Sequence, residues 1–268
     1  MQSKRNLKKN RRGVSPAVST VIITAASVVL VLVAANFALQ VLQSQRAIAE
    51  FDTAKKSILA FDDAVRDIAW DQSGSRSIRF TNSYGNLRLI PNDKTFNINF
   101  AGLNNTSNGN LFTFKTASVK YQMPTGYGMP GVASSYILGS ESAVVSNLTA
   151  SMGQALVKHE SGFNSITLNY RVRVTDEGAI TVSGAPVNYV DIFVIRLNCT
   201  GSALAAGDFD LGCRNVGLKT IQLGAYVVTD VPTISVSEDA KIDVVNLGLG
   251  TGKVVIFNLI IGDVRVSY

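Results

Sequence analysis

Histidine and cysteine are almost missing from this sequence: one histidine, His159, and two cysteines, Cys199 and Cys213, stand among 268 residues. That scarcity removes most metal and nucleophile chemistry. His159 sits in "ALVKHESG" with no cysteine or paired acid at ligand spacing, so a surface or hydrogen-bonded role fits it better than catalysis. The two cysteines are 14 positions apart, far from CxxC spacing and from any histidine. No DxDxDG run offers a calcium loop. "GLGTGK", Gly248 to Lys253, lacks the spacing of a phosphate loop and has Val254 where the hydroxyl residue belongs, so it reads as a glycine-rich turn. No enzyme and no cofactor is expected.

Surplus charge is missing from most of the chain as well. The formal net charge is +6, but Lys4, Arg5, Lys8, Lys9, Arg11 and Arg12 supply all of it before residue 14. What remains is neutral, with no basic face to neutralise phosphates, and nucleic-acid binding is set aside.

Charge disappears altogether between Val14 and Gln45, and the chain from Ala17 to Gln72 has no proline or glycine. Ala17 to Leu39 supplies the roughly 20 apolar residues that cross a bilayer core. Six basic residues ahead of it place the N-terminus in the cytoplasm and everything after it outside. Ser19, Thr20, Thr24, Ala25, Ala26 and Ser27 allow either close helix–helix approach or hydroxyls bonded back onto their own helix.

From 46 to 70 the pattern becomes amphipathic. Ile48, Phe51, Ala54, Ile58, Phe61, Val65 and Ile68 recur every three or four positions, with Glu50, Asp52, Lys55, Lys56, Asp62, Asp63, Arg66 and Asp67 between them. A long helical region over 14–72 is expected, continuous from Ala17 to Gln72 and about 80 Å long over that run, with the acids on its solvated face. Its lower half must pack on its own head, on other copies, or on both. Ser73, Gly74 and Ser75 end it.

Residues 76–268 carry strand and turn signals. "SIRFTNSYGNLRLIP" predicts a hairpin around Asn82 to Gly85. In "SITLNYRVRVTDEGAITVSG", Ile166, Leu168, Tyr170, Val172 and Val174 alternate with Thr167, Asn169, Arg171 and Arg173, as in a half-buried antiparallel strand turning at Asp176 to Gly178. "YVDIFVIRLN" and "KVVIFNLIIGDVRVSY" suit strands covered on both faces. The fold class is α+β: a long hydrophobic then amphipathic helix, followed by a β-rich, sandwich-like antiparallel head.

In an exported head, Cys199 and Cys213 could close a loop of about 15 residues with a disulfide contributing about 3 kcal/mol; the alternative is two buried thiols. The sequon Asn-x-Ser/Thr at Asn104, Asn105, Asn147 and Asn198 makes these asparagines candidate N-glycosylation sites, so the chain is a candidate glycoprotein.

At the seam, "RRGVSPAVSTVI" resembles the N-terminus of archaeal type IV pilin-like proteins, in which a short basic leader precedes Gly or Ala and then "VSP" at the start of a hydrophobic helix. The matching residues are Arg11, Arg12, Gly13, Val14, Ser15 and Pro16. The resemblance implies removal of a leader, 1–13, by a prepilin peptidase cutting Gly13–Val14. It implies a platform membrane protein and a secretion ATPase as further partners, and assembly with other pilin subunits into a surface filament serving adhesion. Many bacterial pilins have Glu at the fifth mature position, where this chain has Val18. The rival functional reading is a membrane-anchored binding module on a helical stalk that never polymerises. A conventional secretion signal cut after Ala35 would need a shorter apolar run.

Overall fold

The structure, a computed structural model, describes residues 16–104, 112–128, 130–182 and 184–268, without the side chains of Pro16 and Ala203. Among the described residues one α-helix, α1 (Pro16–Ile68, 53 residues), precedes eleven strands, with a short 3-10 turn at Thr125–Tyr127. They are β1 (Ser75–Leu103), β2 (Phe112–Pro124), β3 (Ser135–Leu138), β4 (Val144–Val145), β5 (Gly153–Glu160), β6 (Phe163–Tyr170), β7 (Val172–Val182), β8 (Ala185–Asn198), β9 (Ala203–Glu238), β10 (Lys241–Asn246) and β11 (Val254–Ser267). All belong to one sheet in the order β3-β5-β6-β2-β1-β9-β11-β8-β7-β4, with β10 paired on β9. The α+β class is as expected. The sheet is mixed rather than antiparallel throughout: β11 runs parallel to β8, Val254 opposite Val187 through Arg265 opposite Asn198, and β4 runs parallel to β7.

The longest strands are bent, and the bends explain where sequence pattern and structure part. β1 meets β9 in separate stretches, Ser75–Asn82 against Arg214–Gly207 and Phe96–Ala101 against Glu238–Thr233. Within each stretch partner numbers run in opposite senses, while the stretches follow one another in the same order along both strands. Leu87 and Leu89 point into a core beneath α1, whereas Phe96 and Ile98, beyond an irregular register between Ile90 and Lys94, point into a second core. That second core is built on stacked rings, Phe96 on Phe114 at 5.2 Å and Phe100 on Phe257 at 4.3 Å, and contains no helix residue.

Three strand expectations need correction. Asn82 to Gly85 is no hairpin turn: β1 runs through it as a bulge, because the backbone N–H groups there bind the helix instead of a neighbouring strand. The alternating run around Arg171 is two strands, β6 and β7, with Ile166, Leu168 and Tyr170 in the helix core and Val172 and Val174 in the other. Arg171 sits at the crossover, only 5% exposed, so it is not on a solvated face. Asp176 to Gly178 is an irregularity within β7, and the turn into β8 comes after Val182, which pairs with Ala185.

Candidate functional site

α1 has no breaker and opens on Pro16, whose fixed φ suits the first helical position and whose missing N–H is no loss there. Its two halves live in different surroundings. From Val18 to Leu42 the large apolar side chains are 44–69% exposed on every face, so no part of the head covers them. This is the one helix among the described residues long and apolar enough to cross a membrane. Left in water, each fully exposed Val, Leu, Ile or Phe forgoes about 1.5–3 kcal/mol, so lipid or other helices must take the place of solvent. The hydroxyls of this stretch donate to their own helix: Thr20 to Ala17 O, Thr24 to Thr20 O and Ser27 to Ile23 O, at 2.8–2.9 Å. Asn36 Nδ2 likewise donates to Leu32 O at 3.0 Å. Such back-bonding fits polar side chains to a hydrocarbon environment, as in a simple anchor.

The head takes hold at Ser44, whose hydroxyl donates to Gly128 O at 3.1 Å. Six residues on is Glu50, the first acid in the chain. Its carboxylate accepts backbone N–H groups from Ser83 at 2.8 Å, Tyr84 at 3.0 Å and Gly85 at 2.9 Å, and the Tyr121 hydroxyl at 2.8 Å. Three consecutive N–H groups converging on one carboxylate form a nest, which a negative charge fills. Gly85 is required: a Cβ there would lie 2.1 Å from the Tyr121 oxygen. Burial, and then the neighbouring Glu50, push the Tyr121 hydroxyl far above its ordinary pKa, so it stays a donor.

Below this collar the expected seam forms against the chain's own head. Phe51, Ile58, Phe61 and Val65 are fully buried, Ile68 is buried, and Ile48 is partly so, all packed with Tyr121, Leu168 and Val264 in one core. The helix ends where Asn215, buried in β9, donates from Nδ2 to the carbonyls of Ile68 and Ala69 at 3.0 and 2.9 Å. At the end of the helix the Ile68 carbonyl otherwise accepts only the Asp71 N–H of the closing turn, at 3.1 Å. Gly262 in β11 lets the helix end come this close, since a Cβ there would lie 2.4 Å from Ala69 O.

Asp62 departs from the helical pattern. It was expected on the solvated face but is 1% exposed, paired with Arg66 Nε at 2.8 Å. Burial raises its carboxyl pKa, with Arg66 partly offsetting the rise. Tyr170 beside it is pushed well above its ordinary value by burial and then by Asp62. Gly153 makes room, because a Cβ there would meet Asp62 Oδ1 at 2.1 Å. Only the strands packed on the helix reveal Asp62 and Glu50; neither stands out by spacing.

The other expected positions are scattered. Arg11, Arg12, Gly13, Val14, Ser15 and Asn105 lie outside the described residues. Asn104 is half-buried, its backbone N–H donating to Val227 O at 2.9 Å while its side-chain oxygen accepts from Val227 N. Asn147 is exposed, its Oδ1 accepting from Thr149 N and Oγ1 at 2.9 and 2.8 Å, and Asn198 is exposed at the end of β8. Cys199 and Cys213 are buried free thiols rather than a disulfide. Cys199 follows the end of β8 and Cys213 lies in β9, with β11 between those strands and Val266 opposite Cys213. Two strand spacings amount to about 10 Å, beyond the roughly 7 Å that a disulfide spans between Cα atoms. Burial pushes the Cys213 thiol up to about 11. Among the described residues no group of three or more His, Cys, Asp or Glu could hold a metal ion.

No family model, no curated protein and no solved structure matches this chain.

Proposed function

We propose that this chain is a type IV pilin-like surface subunit, cut by a prepilin peptidase at Gly13–Val14 and assembled into, or associated with, a surface filament. The observation that carries the reading is the division of α1 into a bare apolar half and a half built into the β head. One continuous helix joins a segment that needs lipid or other helices to a domain suited to water. The leader motif at Arg11 to Pro16 supports processing at the seam. The basic N-terminus supports a cytoplasmic start and an extracellular head. In this account the anchored chain waits in the membrane. A platform protein and a secretion ATPase then extract it, its bare helix trading lipid for the helices of other subunits, and the heads face outward for adhesion. Exposed Asn147 and Asn198 are the sequon positions best placed to carry glycans.

Electron microscopy of cells with and without the gene, combined with mass spectrometry of sheared appendages, tests the proposal. Loss of a filament that contains this chain is expected. Unchanged filaments without it would leave the non-polymerising, membrane-anchored binding module as the reading.

A further inference from the structure

The face of β5, β6 and β2 that points away from α1 forms the floor of a cleft of about 590 Å³. Tyr136, Leu156, Thr167 and Lys120 lie directly opposite one another on β3, β5, β6 and β2, a row about 14 Å long at ordinary strand spacing. Gln154 and Asn169 form the next pair alongside. The turn from β9 into β10 walls one side with Glu238, Asp239 and Lys241.

The chemistry of this lining is selective. Every lysine in it is already matched: Lys94 to Glu238 at 3.0 Å, Lys120 to Glu160 at 2.6 Å, Lys158 to Glu160 at 3.6 Å and Lys241 to Glu141 at 3.4 Å. A phosphate or sulfate would have to break one of these pairs, so no lone anion is favoured. Ile90, Leu156 and the Tyr136 ring are too little apolar surface for a greasy ligand. One group is unspent: Tyr136 is 36% exposed and lines the cleft.

We propose that this cleft binds a neutral oligosaccharide. Sugar hydroxyls both donate and accept, so they can bond carboxylate and ammonium groups together without disturbing their charge balance. The apolar face of a pyranose ring can lie on Tyr136, and its hydroxyls can bond the Thr167 hydroxyl and the charged groups of the lining. The row of outward side chains across four strands suits an extended chain of sugars rather than a single ring. The inference rests on the proposed function only in placing the head outside the cell, and it is independent of whether subunits polymerise.

The test uses the full chain in a detergent without a sugar headgroup. It is applied to an array of neutral glucan, mannan, galactan and N-acetylglucosamine fragments, with sulfated and sialylated glycans beside them. Retention of at least one neutral class is expected. Tyr136→Ala should weaken that binding about tenfold, and Thr167→Val, which keeps the volume but removes the hydroxyl, should weaken it several-fold. Tyr127→Ala, whose ring meets Tyr84 edge-on at 4.9 Å beside the helix and does not line the cleft, should leave it unchanged, and thermal unfolding of each variant checks that it folds. An array with no neutral glycan retained, a preference for the acidic glycans, or binding indifferent to both cleft variants would overturn the assignment. Because filaments are scored separately by microscopy, a blank array with filaments present would remove the cleft without touching the assembly reading.

Discussion

Glu50 and Tyr121 meet where the bare helix becomes the embedded one: the Tyr121 hydroxyl donates to Glu50 Oε1 at 2.8 Å. The same carboxylate closes the bulge of β1 by accepting three successive backbone N–H groups. The head is therefore fastened to the helix by a charge in a backbone nest at the edge of the core, as well as by apolar packing. Truncation with Glu50→Ala strands those donors and should cost about 3 kcal/mol, the upper range for hydrogen bonds to a charged group. Denaturant unfolding measures the loss. Hydrogen exchange should show faster exchange at Ser83, Tyr84 and Gly85, while unchanged exchange there would mean that the nest does not hold the bulge.

The lower end of the helix depends on close approach. Gly262→Ala would put a methyl group 2.4 Å from Ala69 O, a backbone atom that can yield only if the helix end moves. A loss of about 2 kcal/mol is expected, typical of overpacking in a tight core. Gly212→Ala on the adjacent strand meets nothing nearer than 3.6 Å and should stay within about 0.5 kcal/mol of the parent. Equal effects from the two would contradict the proposed contact.

Asp62 gives the fold a pH dependence of definite sign. Burial raises its folded-state pKa above the ordinary carboxyl value, even with Arg66 beside it. The folded chain therefore takes up this proton at a higher pH than the unfolded chain. Its contribution to stability grows as pH falls through the folded value and is complete below the unfolded value of about 4. Asp62→Asn should remove this gain, so the parent's thermal midpoint should rise relative to the variant's on going from pH 7 to about pH 3, below the unfolded carboxyl value. A parent that loses ground to the variant over that interval would show a depressed pKa instead.

Much of the helix was legible in the sequence and much of the sheet was not, for a physical reason. Helical contacts repeat over three or four residues, so Phe51, Ile58, Phe61 and Val65 announce a buried seam by spacing alone. The breaker-free run announces continuity. Strand alternation tells which side chains are buried but not in which core, and Tyr170 and Val172 pass from one core to the other without a change in pattern. The β1 bulge resembles a turn because both need small polar residues; what makes it a bulge is Glu50, more than thirty positions away. Asp62 sits among charged neighbours and becomes a buried group only because Gly153 admits it.

The thiols give a direct check on the strand order. With β11 between them, Cys199 and Cys213 should remain reduced, unreactive toward a thiol reagent in the folded chain. Two equivalents should react per chain after unfolding without reductant. No reaction after unfolding would reveal a disulfide and require β8 and β9 to lie closer than the sheet places them.

The central claim is that the apolar half of α1 is a retained working part of a surface subunit, released from its leader at the seam. N-terminal sequencing of the chain recovered from sheared surface filaments tests it most directly. The account predicts a mature chain beginning at Val14, with the whole of α1 present. A chain beginning within or beyond the apolar run, or one absent from the filaments and still carrying its basic leader in the membrane, would contradict it.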